Sequence, residues 1–83
     1  MLRREIWVDG RGGVVRYNIA YINHALHAGD NGRVLGYDSA HGYHHRHYRG
    51  NVTTVEFDTF EKVEARFQEE WNRLAKEVRR AKD

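Results

Sequence analysis

Apolar and polar residues alternate most regularly over residues 14–22, where Val15, Tyr17, Ile19 and Tyr21 fall on one side and Arg16 and Asn18 on the other. A period of two is the pattern of a strand with one buried face, so a strand is predicted there. Glu5-Ile6-Trp7-Val8 predicts a shorter strand ahead of it, with Trp7 as core or sheet-edge packing. Asp9-Gly10-Arg11-Gly12-Gly13 supplies a glycine-rich turn between the two. Residues 33–38, 43–48 and 52–57 read as further strands, with Gly36 marking a bulge or a close backbone approach. Asn31-Gly32 favours positive φ and predicts a tight hairpin turn. Residues 23–29 either extend the second strand through a bulge or form a loop, and the pattern leaves both open. Every connection is too short for a parallel crossover, so an antiparallel meander of four to five strands is expected.

Beyond residue 58 the period changes. Phe60, Val63, Phe67, Trp71, Leu74, Val78 and Ala81 recur every three or four residues and form one helical stripe. Asp58 is placed to cap the first turn, with Glu61 three residues on in capping-box spacing. Burying the larger side chains stabilises by roughly 1.5–3 kcal/mol each. Ordering the backbone costs roughly 1–2 kcal/mol per residue, so the two terms nearly cancel over this length. The helix must therefore lie on a sheet. The expected fold is α+β: one domain over residues 1–83, with a sheet at about 4–57 and a long helix at about 59–81. At ~1.5 Å per residue such a helix is on the order of 36 Å long, against ~17–20 Å for a typical strand. Either its end around Trp71, Leu74 and Val78 overhangs and binds another chain, a second copy included, or the helix crosses the sheet diagonally and is internal.

Composition removes several chemistries. The 83 residues include no Cys, which excludes disulfides, Cys-type zinc sites and a thiol nucleophile. Ser39 is the only serine and lies in no Gly-x-Ser-x-Gly elbow. The glycines at 10, 12 and 13 lack the Lys-Ser/Thr and the following helix of a phosphate loop. Apolar runs are too short for a membrane helix or a signal peptide, so the expected address is the cytoplasm and no membrane partner is expected. The net charge of +2 is unevenly laid out, because residues 1–57 hold seven Arg, five acids and all six His, while residues 58–83 hold seven bases and seven acids. A mildly basic first part is compatible with a polyanionic partner and does not by itself establish one.

One stretch stands out chemically. Four of the six histidines fall within residues 41–47, beside Asp38, Tyr37, Tyr43, Tyr48, Arg46 and Arg49. In a strand over 43–48, Tyr43, His45 and His47 point one way and His44, Arg46 and Tyr48 the other. Metal-free RNA cleavage is one reading. It needs a base for the 2′-hydroxyl, an acid for the departing 5′-oxygen and a cation for the phosphate, and imidazoles with an ordinary pKa of ~6.5 serve both proton transfers. Arg46 or Arg49 would clamp the phosphate and Asp38 would orient one ring. Tyr37, Tyr43 or Tyr48 would stack on a base, with His41 and His44 completing the substrate contacts. A metal site is a second reading, with His45 and His47 joined by His41, His44 or Asp38, although Arg46 and Arg49 disfavour a dication. A solvated polar strand is the third. His24 and His27 read as loop or edge residues rather than ligands.

The string Arg33-Val34-Leu35-Gly36-Tyr37-Asp38-Ser39-Ala40-His41-Gly42-Tyr43-His44-His45-Arg46-His47 resembles the TumE-type toxins of prokaryotic toxin–antitoxin modules. In that pattern a strand ending in Tyr-Asp leads through a glycine-containing turn to His-Arg-His. A Phe-x-Ser/Thr-Phe/Leu-Glu entry into a helix follows, matched here by Phe57-Asp58-Thr59-Phe60-Glu61. Ser39 departs from the frequent Asn, and His44 from an acidic or small residue. The resemblance implies a growth-inhibiting toxin neutralised by an antitoxin that carries a DNA-binding helix-turn-helix. It singles out Asp38, His45, Arg46 and His47 as matches to the family motif. The expectation is an RNA-cleaving toxin with His45 and His47 as acid and base, Arg46 as phosphate clamp and Asp38 as the orienting carboxylate. No cofactor is expected, with a divalent metal left open. The competing expectation is a module that binds RNA or protein without turnover.

Overall fold

The structure, a computed structural model, describes residues 1–40, 43–56 and 59–82, without the side chains of residues 40 and 78–82. The expected contact of His41, the cap at Asp58, the end of the last strand at Phe57 and the stripe positions Val78 and Ala81 fall outside this description. The chain is α+β. Strands β1 (Leu2–Val8), β2 (Val14–Ile22), β3 (Arg33–Ala40), β4 (Tyr43–Tyr48) and β5 (Asn51–Val55) precede a single helix, α1 (Phe60–Lys82). All neighbouring pairs are antiparallel and the sheet order is β1-β2-β3-β4-β5, the meander expected from the short connections.

Local chemistry sets the turns. Asp9 closes the first hairpin by accepting the backbone N–H groups of Arg11 and Gly13 on Oδ1, each at 2.9 Å. The Asn31-Gly32 pair does not form a tight two-residue hairpin. It lies in a short 3₁₀ turn (Asp30–Gly32) at the end of a longer connection, in which Asp30, Asn31 and Gly32 all have positive φ. The two-residue turn occurs instead at Arg49-Gly50, with φ of 47° and 86°, where Tyr48 pairs with Asn51. Residues 23–29 are a loop rather than a continued strand. Its histidines pack on glycines. A Cβ on Gly32 would lie 2.7 Å from the His24 ring, and His27 faces Gly29 and Gly50.

One sheet face is covered. Tyr17, Ile19, Tyr21, Leu35 and Tyr37 alternate onto the helix side and form the core with Val63, Phe67 and Leu74. Phe60 packs on Tyr17 with ring centroids 5.1 Å apart, and Phe67 meets Tyr37 edge-on at 6.4 Å. The helix begins at a cap from Thr59, whose Oγ1 accepts the Lys62 N–H at 3.3 Å. Leu74 is only 6% exposed and Trp71 packs partly against the core, so α1 is held to the sheet beyond its midpoint. No helix among the described residues is long and apolar enough to cross a membrane.

Leu74→Ala separates a packed second half from a projecting one. A packed Leu74 predicts a loss of about 2–4 kcal/mol in urea unfolding, the usual cost of deleting a buried leucine. A change under about 0.5 kcal/mol is the surface value and would contradict the packing.

Candidate functional site

The alternation of β4 divides the histidine–arginine stretch between two faces. His44, Arg46 and Tyr48 lie on the helix side, and Tyr43, His45 and His47 on the opposite, uncovered side. On the uncovered side His45 is the direct cross-strand partner of Asp38, and His47 that of Gly36. Asp38 is thus opposite one imidazole and diagonal to the next. Its Oδ1 is 3.5 Å from His45 Nδ1, and its Oδ2 is 2.9 Å from His47 Nε2.

Arg33 completes this cluster, and sequence reasoning passed over it. Gly36 makes its position available: a Cβ there would lie 2.7 Å from Arg33 Cδ and 3.2 Å from the Ile19 carbonyl oxygen. The strand register runs unbroken through Gly36, so this glycine marks a close approach and not a bulge. Across the gap, Arg33 Nη2 donates to His47 Nδ1 at 2.9 Å, Nη1 reaches Asp38 Oδ2 at 3.5 Å and Nε donates to Asp30 at 2.8 Å. A guanidinium only donates, so His47 Nδ1 must carry a lone pair and Nε2 must carry the proton given to Asp38. Both nitrogens of His47 are therefore engaged. His45 differs: its Nδ1 stands 3.5 Å from Asp38 Oδ1, an ion-pair distance with no hydrogen bond formed, and its Nε2 has no hydrogen-bond partner among the described residues.

The helix side holds a second polar network. Arg46 donates through Nη2 and Nε to Glu70 of α1, and the Tyr37 hydroxyl donates to the same carboxylate. Burial alone would raise the Glu70 carboxyl. The hydrogen bonds from Arg46 and Tyr37 and the charges of Arg46 and Arg66 outweigh it and hold Glu70 below the ordinary carboxylate range. Tyr37 is pushed up to about 12 by burial and then by Glu70. Tyr17 is likewise pushed up to about 12, by burial and then by the charge of Asp38, and shares a 2.6 Å hydrogen bond with His44 Nδ1. Arg46 and Arg49 both lie against the ring of Tyr48, at 5.0 and 5.7 Å from its centroid.

The expected site residues therefore part company. Asp38, His45 and His47 converge. Arg46 does not join them, because its guanidinium is bound to Glu70 across the sheet, and Arg33 occupies the cationic position beside Asp38. Tyr37, His44, Tyr48 and Arg49 are not brought to the cluster, while Tyr43 is on its face and 63% exposed. A shallow cleft of about 190 Å³ adjoins the cluster, lined in part by Arg3, Asn18, Ala20 and Arg33. Among the described residues no group of three His, Asp or Glu side chains is placed to hold one metal ion. The available clue to Arg33 was its position three residues before an interior-strand glycine. Glu70 was legible only as a polar residue flanking the buried helix stripe.

Two substitutions test these networks. Gly36→Ala forces Arg33 off Asp38 and His47, with an expected loss of about 1–3 kcal/mol in urea unfolding. Unchanged stability would mean that Arg33 does not occupy this gap. Glu70→Gln should cost about 1.5–3 kcal/mol at pH 7, the range for a hydrogen bond to a charged group. The folded-state pKa of Glu70 is depressed, so its contribution is present above the ordinary carboxylate value and lost as pH falls through the folded one. The wild-type and Glu70→Gln stabilities should therefore converge in acid, and a gap that persists there would contradict the ion pair.

Compared with protein-family models, curated proteins and solved structures, the chain matches none of them.

Proposed function

We propose that this chain is a growth-inhibiting toxin that cleaves RNA without a metal, using His45 on the uncovered face of the sheet. The supporting observation is that His45 lies directly across the sheet from Asp38, with Nδ1 3.5 Å from its Oδ1, and that its Nε2 has no hydrogen-bond partner among the described residues. In this reading His45 Nε2 takes the proton of a 2′-hydroxyl, the 2′-oxygen bonds to phosphorus and the bond to the 5′-oxygen breaks. Water protonates the departing oxygen and recovers the proton from His45, because both nitrogens of His47 are occupied. Arg33 has five N–H donors. Three of them face Asp30, Asp38 and His47, which leaves two for the negative charge building on phosphate. Asp38 orients, His47 braces Asp38 and Arg33, and Arg46 ties β4 to α1 instead of clamping phosphate.

The toxin part of the proposal rests on the resemblance of Tyr37-Asp38 and His45-Arg46-His47 to TumE-type toxins. It carries with it a helix-turn-helix antitoxin as partner and the cytoplasm as address. A binding module without turnover is favoured by one observation: Arg33, His47 and Asp38 already bond one another, with Asp30 also holding Arg33, so these groups are engaged without a substrate.

Induced expression of the wild type should arrest growth with degraded total RNA, and His45→Ala should do neither. Purified protein should cleave RNA equally well in EDTA. Arrest with intact RNA would remove the nuclease and leave the binding module. Activity lost in EDTA and restored by a divalent ion would move the chemistry to a metal.

A further inference from the structure

We infer that Trp7 and Arg16 form a base- and phosphate-binding subsite for single-stranded RNA on the same sheet face as His45. The two are direct cross-strand partners, with the Arg16 guanidinium 4.9 Å from the centroid of the Trp7 ring. Trp7 sits on an edge strand, is 44% exposed and is absent from the core cluster. Arg16 is exposed and has no carboxylate partner among the described residues, whereas Arg3, Arg4, Arg33 and Arg46 each have one. A guanidinium without a carboxylate partner lying over an exposed indole presents a π surface and a positive charge together. Bases stack on such surfaces with little sequence preference, and the charge suits the adjoining phosphate.

The placement connects this pair to the proposed chemistry. Glu5, Asn18, Asp38 and His45 form one cross-strand row, and Trp7 and Arg16 are the next pair along, on the side where Tyr43 lies two residues from His45. Two residues along a strand is about 7 Å and two strands across is about 10 Å, so Arg16 lies within reach of a short oligonucleotide centred on His45. The cross-strand and diagonal neighbours of Trp7 on this face, Arg16, Asn18 and Glu5, are polar, and Val8, Val14 and Val15 are exposed at the adjoining hairpin end. The subsite rests on the RNA-cleaving reading and extends it by naming where the strand is gripped away from the reacting bond.

The test uses 2′-O-methyl oligouridylate, which cannot be cleaved, with a fluorescein label for anisotropy. Trp71→Phe leaves Trp7 as the only indole, so its emission reports the subsite directly. Saturable quenching of Trp7 that tracks the anisotropy is expected. Trp7→Ala should weaken binding roughly 5- to 100-fold, the loss of one base–aromatic stack, while Trp7→Phe should retain most of the affinity. Arg16→Ala should reduce the slope of log affinity against log salt by about 0.7, one phosphate contact on a single strand. RNA that binds with Trp7 emission and Trp7→Ala affinity unchanged would overturn the subsite and leave the RNA reading standing. No RNA binding at all would overturn both. Trp7 emission that varies with protein concentration in the absence of RNA, with a dimer in sedimentation, would overturn the subsite in favour of contact with a second copy.

Discussion

The pairing of Asp38 with His45 across β3 and β4 decides where every reactive group on this sheet points. Side chains on a strand alternate strictly, so once this pair is set, His47 must share the uncovered face while His44, Arg46 and Tyr48 turn to the helix. A shift of one residue would place Arg46 opposite Asp38 and bury His45 and His47 against α1. The register is held from both sides. Tyr37 and Arg46 reach Glu70 below the sheet, and Arg33, Asp38 and His47 lock above it.

The two networks differ in character. The lower one joins a strand pair to the helix through a carboxylate with 17% of its side chain exposed, so each lost partner leaves a poorly solvated charge behind. The upper one lies on the outer face of the sheet, joins β3 to β4 and, through Arg33 and Asp30, reaches the turn before β3, with 12–24% exposure for the side chains of His47, Arg33 and Asp38. Beside it, the far nitrogen of His45 and two N–H donors of Arg33 have no hydrogen-bond partner among the described residues. Gly36 is the structural condition for this arrangement, since any larger residue competes with the Arg33 stem for the same volume.

Much of the fold was legible because it follows from period. The alternation over residues 14–22 gave β2 its exact bounds, and the three-and-four spacing from Phe60 gave the helix and its buried face. The Asn31-Gly32 hairpin was misread because positive φ is a property of residues, whereas a two-residue turn also needs strands that meet on either side. Arg49-Gly50 has both. In the site, period separates the histidines as the structure does and puts Arg46 on the face opposite His45 and His47, yet the His-Arg-His motif of the resemblance groups it with them. Adjacency along a strand means opposite faces. Arg33 went unseen because a guanidinium reaching diagonally over a glycine depends on a missing side chain, and no periodicity records that.

The account depends most on Arg33, Asp38, His45 and His47 forming one connected cluster, and the imidazole nitrogens report this directly. Long-range ¹H–¹⁵N spectra at neutral pH should show His47 as a single tautomer, protonated on Nε2 and unprotonated on Nδ1. A mixture of His47 tautomers, or a proton on Nδ1, would show that Arg33 is not bonded there and would dissolve the cluster on which the site is built.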